Sequence, residues 1–310
     1  MSRPVAVVFA LRVACISLLA ACATAPVHGQ VTTTPADGGP AWASVQRALG
    51  GRGSMQAGDV LRFGFPRSDL TVVANGVTLR PTFALGSWVA FKRMAGSNDA
   101  VVMGDLVLTE DEVTAVMTSL QANGVEQTAL HHHVLHESPR VLYMHIDAHG
   151  DAAKLSQAIR TALAKSKTPM TPPPAGPVAP FSLDTAAIAR ALGVSGRVTG
   201  GVYQVNAPRA ERIMAHGLEI PVAMGVATVM NFQPTGNGKA AITGDFVMIA
   251  AEVNPVIRAL RAHGIEVTAL HSHMLDESPR LLFMHFWAND DAVKLAAGLR
   301  AALDKTARPN

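Results

Sequence analysis

The sequence predicts an α+β fold laid down twice in tandem, each copy an antiparallel sheet with helices packed on it. The first observation behind this is a repeat: residues 128–140 match residues 268–280 at an offset of 140 with no gap. The same offset pairs Gly104-Asp105 with Gly244-Asp245, and His145 with His285. A period this long, occurring twice, means duplicated domains rather than a solenoid. The second is periodicity: in each copy several alternating, strand-like segments precede β-α-β-β-α, an order with a ferredoxin-like tendency.

Each element has a local reason. A short helix ends at Gly50 in the first copy and at Gly193 in the second, where glycine suits the left-handed cap. Strands are expected at 60–65, 70–73, 87–91 and 100–108, from alternating apolar residues. Thr109 followed by Glu112 forms a capping box. Val113, Val116, Met117 and Leu120 then line one helical face, and Gly124 ends it. The second copy repeats this with Val253, Val256, Ile257, Leu260 and Gly264. Strands at 128–135 and 140–147 flank a turn at Glu137-Ser138-Pro139. A closing helix carries Leu155, Ile159 and Leu163 on one stripe.

Composition bounds the function. The chain has 310 residues and is 49% hydrophobic, enough for two buried cores. Removing Arg3 and Arg12 with the leader leaves 24 of the 26 Lys and Arg against 23 Asp and Glu, so the mature protein is nearly neutral. With 5% aromatic residues and no basic run, nucleic acid is not an expected partner.

Residues 1–21 read as a secretory signal ending in Leu19-Ala20-Ala21-Cys22, which resembles the bacterial lipobox. That resemblance implies a lipid on Cys22, anchoring the protein to a membrane on the periplasmic side of the envelope. Ala23 after it favours the outer membrane. Cleavage at 23–25 or 27–29 would instead give a soluble periplasmic or secreted protein. Residues 22–40 form a flexible tether, 41–166 the first repeat domain, 167–180 a proline-rich linker and 181–306 the second repeat domain. The only cysteines are Cys15 and Cys22, so any metal in the folded part must use His and carboxylates.

The chemistry-bearing motif is Ala-Leu-His-x-His-x-Leu-x-Glu-Ser-Pro-Arg-x-x-x-Met-His, starting at Ala129 and at Ala269. On a strand His131 and His133 share a face, as do His271 and His273. His145 and His285 join them if the following hairpin pairs with an even register sum, and Glu137 and Glu277 could reach back from the turn. Three imidazoles and a carboxylate per copy would suit zinc or another divalent transition metal. Asp105 and Asp245 are candidates to accept from a His N–H or to act as acids at the site, with a plain Gly-Asp turn at a strand end as the alternative. His132 is replaced by Ser272 in the other copy, and His136, His149 and His263 lack counterparts, so they fall outside the shared set. Arg67 and Arg209 each have an acid two residues on and are expected in surface ion pairs.

Leader, duplication and motif together resemble the LppY/LpqO-type bacterial lipoprotein family, a duplicated domain of unknown function. The resemblance spans nearly the whole mature chain and implies no activity, substrate or cofactor. Three functions therefore compete: a cell-envelope metal-binding lipoprotein, a metal- or His-dependent hydrolase acting on an envelope substrate, and a non-catalytic module for an unknown small molecule, envelope polymer or protein. No Gly-x-Ser-x-Gly nucleophile motif supports a covalent route.

Overall fold

The computed structural model describes Met1 and residues 38–51, 53–171 and 180–309. The signal peptide, the lipobox with Cys22 and most of the tether and linker lie outside the described residues. In the first repeat β1 (Ser54–Gln56), β2 (Val60–Pro66), β3 (Gly86–Arg93), β4 (Asp99–Thr109), β5 (Glu126–His131) and β6 (Val141–Asp151) form one sheet in the order β1-β2-β3-β4-β6-β5. The second repeat has β7 (Arg197–Thr199), β8 (Val202–Pro208), β9 (Ala227–Gly236), β10 (Lys239–Met248), β11 (Glu266–His271) and β12 (Leu282–Asp291), in the order β7-β8-β9-β10-β12-β11. Every neighbouring pair is antiparallel. Because β6 slots between β4 and β5, the expected β-α-β-β-α half is a split β-α-β unit.

Helices α1 (Ala43–Ala48), α2 (Glu110–Gln121) and α3 (Ala152–Leu163) belong to the first repeat, and α4 (Thr185–Leu192), α5 (Ala250–Ala262) and α6 (Ala292–Leu303) to the second. The capping box at Thr109 and Glu112 is present. Asp151 accepts from Lys154 N at 2.8 Å to cap α3, and Asp291 does the same for α6 through Val293 N and Lys294 N. Strand edges moved in three places, the expected strand 140–147 running on to Asp151. The expected strand 70–73 shrinks to Val73–Ala74, part of a small hairpin with Val77–Thr78. The expected strand 128–135 starts earlier and stops at His131, leaving His133 in the loop that follows.

Alternation decides the layering. Leu61, Phe63 and Phe65 of β2 with Val89 and Phe91 of β3 face the helices α1, α2 and α3. Their alternates face the other repeat: Val60, Ala90, Val101 and Met103 pack against Ile213, Met224, Leu281 and Phe283. In return Val202, Ala241 and Trp287 pack with Phe83, Val107 and Tyr143. Each large apolar side chain so buried contributes about 1.5–3 kcal/mol. The described residues from 38 to 309 thus form one compact unit, helices outside and two sheets face to face within.

One expectation is overturned here. Arg67 is not in a surface ion pair: it is fully buried, 2.8 Å from Asp69 and 2.7 Å from Glu112, and donates to Val107 O. Arg209 repeats the arrangement with Glu211, Glu252 and Val247 O. The capping glutamate is also the arginine's partner, which ties the start of α2 to the end of β2. A buried guanidinium is tolerated because two carboxylates and a carbonyl replace its water.

Candidate metal centre

Strand register builds the site. Asp105 lies mid-strand in β4, opposite His145 on one side and Trp88 on the other, and His145 in turn faces Ala129. The neighbouring row runs Val107, Tyr143, His131. The register sum across β5 and β6 is therefore even in this part of the ladder, and His131 and His145 point from one face. The second repeat duplicates this with Asp245 opposite His285, and His271 opposite Phe283. Each β5-type strand carries a bulge at Thr128 or Thr268, where the ladder skips one residue. The freed threonines reach across: Thr128 Oγ1 donates to His273 O at 2.8 Å, and Thr268 Oγ1 to His133 O at 2.7 Å.

Those two faces are the ones that meet. The sequence suggests one cluster in each copy, whereas the structure merges both into a single buried site between the sheets. His131 Nε2 is 3.1 Å from His285 Nε2. The ring of His131 stacks on that of His271 with centroids 3.7 Å apart, and the pairs His133–His285 and His145–His273 are each 3.8 Å apart. His133 lies on Tyr143 at 3.3 Å and His273 on Phe283 at 3.5 Å, so aromatic floors fix both rings.

The two aspartates stand inside this cluster. Asp105 Oδ2 is 3.4 Å from His133 Nε2, and Asp245 Oδ2 is 3.0 Å from His273 Nε2. Their reading as strand-end turns is replaced by mid-strand positions, and the preceding glycines have a steric reason. A Cβ at Gly244 would lie 1.9 Å from Val229 O, and one at Gly104 2.7 Å from Trp88 O. The two glutamates go elsewhere. Glu137 accepts from His132 and Val141 N, and Glu277 from Leu281 N and Arg280. Each closes its own Glu-Ser-Pro-Arg turn.

The hydrogen-bond network sets the tautomers of the second repeat. His271 Nδ1 faces Ser272 O at 3.2 Å, His273 Nδ1 faces Gly225 O at 3.1 Å, and His285 Nδ1 faces Gly244 O at 2.6 Å. A neutral imidazole that donates Nδ1–H to a carbonyl presents its Nε2 lone pair, the arrangement usual for metal-ligating histidines. His271 Nε2, His273 Nε2, His145 Nε2 and His133 Nε2 are buried without a hydrogen bond, as is Asp245 Oδ1. Such groups in a protein interior call for a missing partner. A lone pair of His273 facing a carboxylate at 3.0 Å needs a proton or a cation between them.

Three groups bring one ligand atom per residue within 4.8 Å of one another: His131, His133 and His285; His131, His145 and His271; and Asp245, His271 and His273. The first and third share no residue. The first two draw on both repeats.

A family model described as Domain of Unknown Function (DUF1259) matches residues 43–165 and again residues 186–305. The chain belongs to that family. No curated protein matches it. Among solved structures it is similar to PduB, a trimeric bacterial microcompartment shell protein, at 15% identity over 81% of this chain and 90% of that one, with a TM-score of 0.19. It is also similar to EtuB from Clostridium kluyveri at 10% identity, with the same coverage and a TM-score of 0.18. At such scores the likeness carries no weight, and the DUF1259 repeats are understood from their own residues.

Burial dominates the electrostatics of the paired DUF1259 repeats. It lowers the pKa of His285 to about 4 and of His271 to about 3, helped by neighbouring imidazoles. His131, His133 and His145 are pushed down for the same first reason. The carboxyls diverge. Burial raises Asp105 to about 6, whereas at Asp245 the surrounding His285, His273 and His271 outweigh burial and the pKa falls.

These directions give a signed pH dependence for the metal-free protein. Histidines with lowered pKa bind fewer protons folded than unfolded, so stability falls as pH drops below the unfolded value of about 6.5. Asp105 acts oppositely, stabilising below its unfolded pKa and losing that contribution as pH rises through about 6. Five histidines outweigh one carboxyl. The urea midpoint of metal-stripped protein should therefore fall between pH 7.5 and pH 5, and His285→Asn should flatten the fall; a midpoint that rises on acidification contradicts the assignment.

Proposed function

We propose that this protein binds a divalent transition metal in the interface between its two repeats, with zinc the first candidate. The carrying observation is that imidazole nitrogens converge on one buried site and that the Nε2 atoms of His133, His145, His271 and His273 lack hydrogen-bond partners there. His131, His133 and His285 supply three nitrogens, the ligand number of a zinc site that keeps a position open. Asp245, His271 and His273 supply a nitrogen-rich set with one carboxylate. Thiolates are absent from both sets, so metals that favour imidazole and carboxylate fit best.

A second reading, a metal- or His-dependent hydrolase, has one observation in its favour. A cavity of 510 Å³ reaches His133, His145, His273 and His285, so a small molecule has access to the cluster. A metal there would act as a Lewis acid or lower the pKa of a bound water.

The leader supports an exported protein held on the periplasmic side of the envelope by lipid on Cys22, in keeping with the resemblance to LppY/LpqO-type lipoproteins. Membrane fractionation of cells carrying Cys22→Ala tests this: the variant should leave the membrane fraction, and an unchanged distribution rejects the anchor.

Elemental analysis after zinc loading tests the metal. Wild type should retain at least one equivalent. His285→Ala should reduce the metal held with His131 and His133, although it lies in the other repeat. Removing one ligand of a tight site is expected to cost roughly tenfold or more in affinity. Negligible metal in wild type, or content indifferent to His131→Ala and His285→Ala, rejects the proposal.

A further inference from the structure

The two halves of the site agree in their histidines and aspartates but not in the walls of the cavity above them. Cross-strand register makes the comparison unambiguous. In the first repeat Arg62 pairs with Ala90 and Ala90 with Met103; in the second Gln204 pairs with Asn231 and Asn231 with Thr243. Trp88, opposite Asp105, corresponds to Val229, opposite Asp245. The cavity is therefore bounded by Arg62 and Trp88 from one sheet and by Gln204, Asn231 and Thr243 from the other. A pseudo-symmetric cluster sits beneath an unsymmetrical chamber.

Arg62 is the exceptional group. Its guanidinium lies 3.9 Å over the ring of Trp88 and donates one hydrogen bond to Ala223 O. Among the described residues it has no ion pair. Arg67 and Arg209, which are buried where Arg62 is half-buried, each hold two carboxylates. Burial, partly offset by the charge of Asp105, lowers the Arg62 pKa to about 10, so the charge persists at neutral pH and faces the cavity with no carboxylate at ion-pair distance among the described residues. Opposite, Asn231 Oδ1 and Thr243 Oγ1 are buried with no hydrogen-bond partner, while Asn231 Nδ2 is spent on Phe83 O. Phe65, Phe83 and Val229 add apolar surface. Gly225 closes the chamber at φ +86, where a Cβ would meet the Trp88 ring at 2.9 Å.

We propose that this cavity binds a small organic anion carrying a hydroxyl group. Its carboxylate or phosphate rests on Arg62, and its hydroxyl donates toward Asn231 or Thr243, over the His and Asp cluster. A guanidinium fork matches either oxyanion in a bidentate manner, and 510 Å³ suits a molecule of metabolite size. This names the ligand class of the proposed metal site and so extends that reading. The oxyanion contact with Arg62 itself requires no metal.

Calorimetric titration of the metal-stripped full chain, and then of zinc-loaded chain, tests the proposal. The probes are mandelate and lactate for carboxylates, glycerol phosphate for phosphates, and lactamide and mandelamide as neutral analogues. Wild type should bind one of the two anion sets and bind the amides at least about tenfold more weakly, as expected for loss of a charge-assisted hydrogen bond. Which set binds identifies the head group. Arg62→Gln should lose about tenfold or more in anion affinity, Arg62→Lys less, and neither should change zinc content. If Arg62→Gln does not fold, discrimination between anion and amide by wild type still decides. Absence of anion binding, equal affinity for anion and amide, or indifference of binding to Arg62→Gln overturns the proposal. Zinc content measured on the same samples shows separately whether the metal reading stands.

Discussion

Two sheets pressed face to face cannot bury a row of imidazoles unless those imidazoles find partners in one another or in something held between them. This constraint organises the molecule. Apolar contacts on either side of the row close the interface, with Met103 against Met224 and Phe283 on one flank and Phe83 against Trp287 on the other. The histidines then lie at the centre, and each repeat contributes to what the other lacks. The reciprocal threonine bonds at the two bulges fix the loops that carry His133 and His273. Without metal the row costs stability as pH falls below about 6.5, since the lowered histidine pKa values record the penalty of charging groups that water no longer reaches.

Duplication explains why such a site exists at all. A single repeat exposes one face of its sheet with a His and Asp row and apolar flanks, and a second copy of the same face covers it. The symmetric residues make the cluster. The residues that diverged, Arg62 from Gln204 and Trp88 from Val229, shape the chamber beside it. Shared chemistry and separate specificity thus reside in different rows of the same strands.

Much of this was legible in the residues. The capping box at Thr109 and Glu112 and the helix stripes are local signals, and local signals carried through to the structure. The offset of 140 exposed the shared histidines because a duplicated motif is its own alignment. What was not legible depended on distance. Arg67 looked like a surface residue beside Asp69, since nothing nearby reveals Glu112, 45 positions on. For Gly104-Asp105 and Gly244-Asp245 a turn stands beside a role at the histidines because that is what the dipeptide does locally, whereas the glycine answers to a carbonyl on the next strand. Glu137 and Glu277 were grouped with the histidines by spacing, but turn closure claimed their carboxylates. The meeting of the two copies leaves no trace in periodicity, so the single composite site emerges only in three dimensions.

The central claim is that the repeats share one metal centre. Anomalous diffraction at the zinc edge from crystals of zinc-loaded protein addresses it directly. Density is expected between the sheets, touching His131 and His133 of one repeat and His285 of the other. Peaks confined to the surface, or two peaks each ligated within a single repeat, would contradict it.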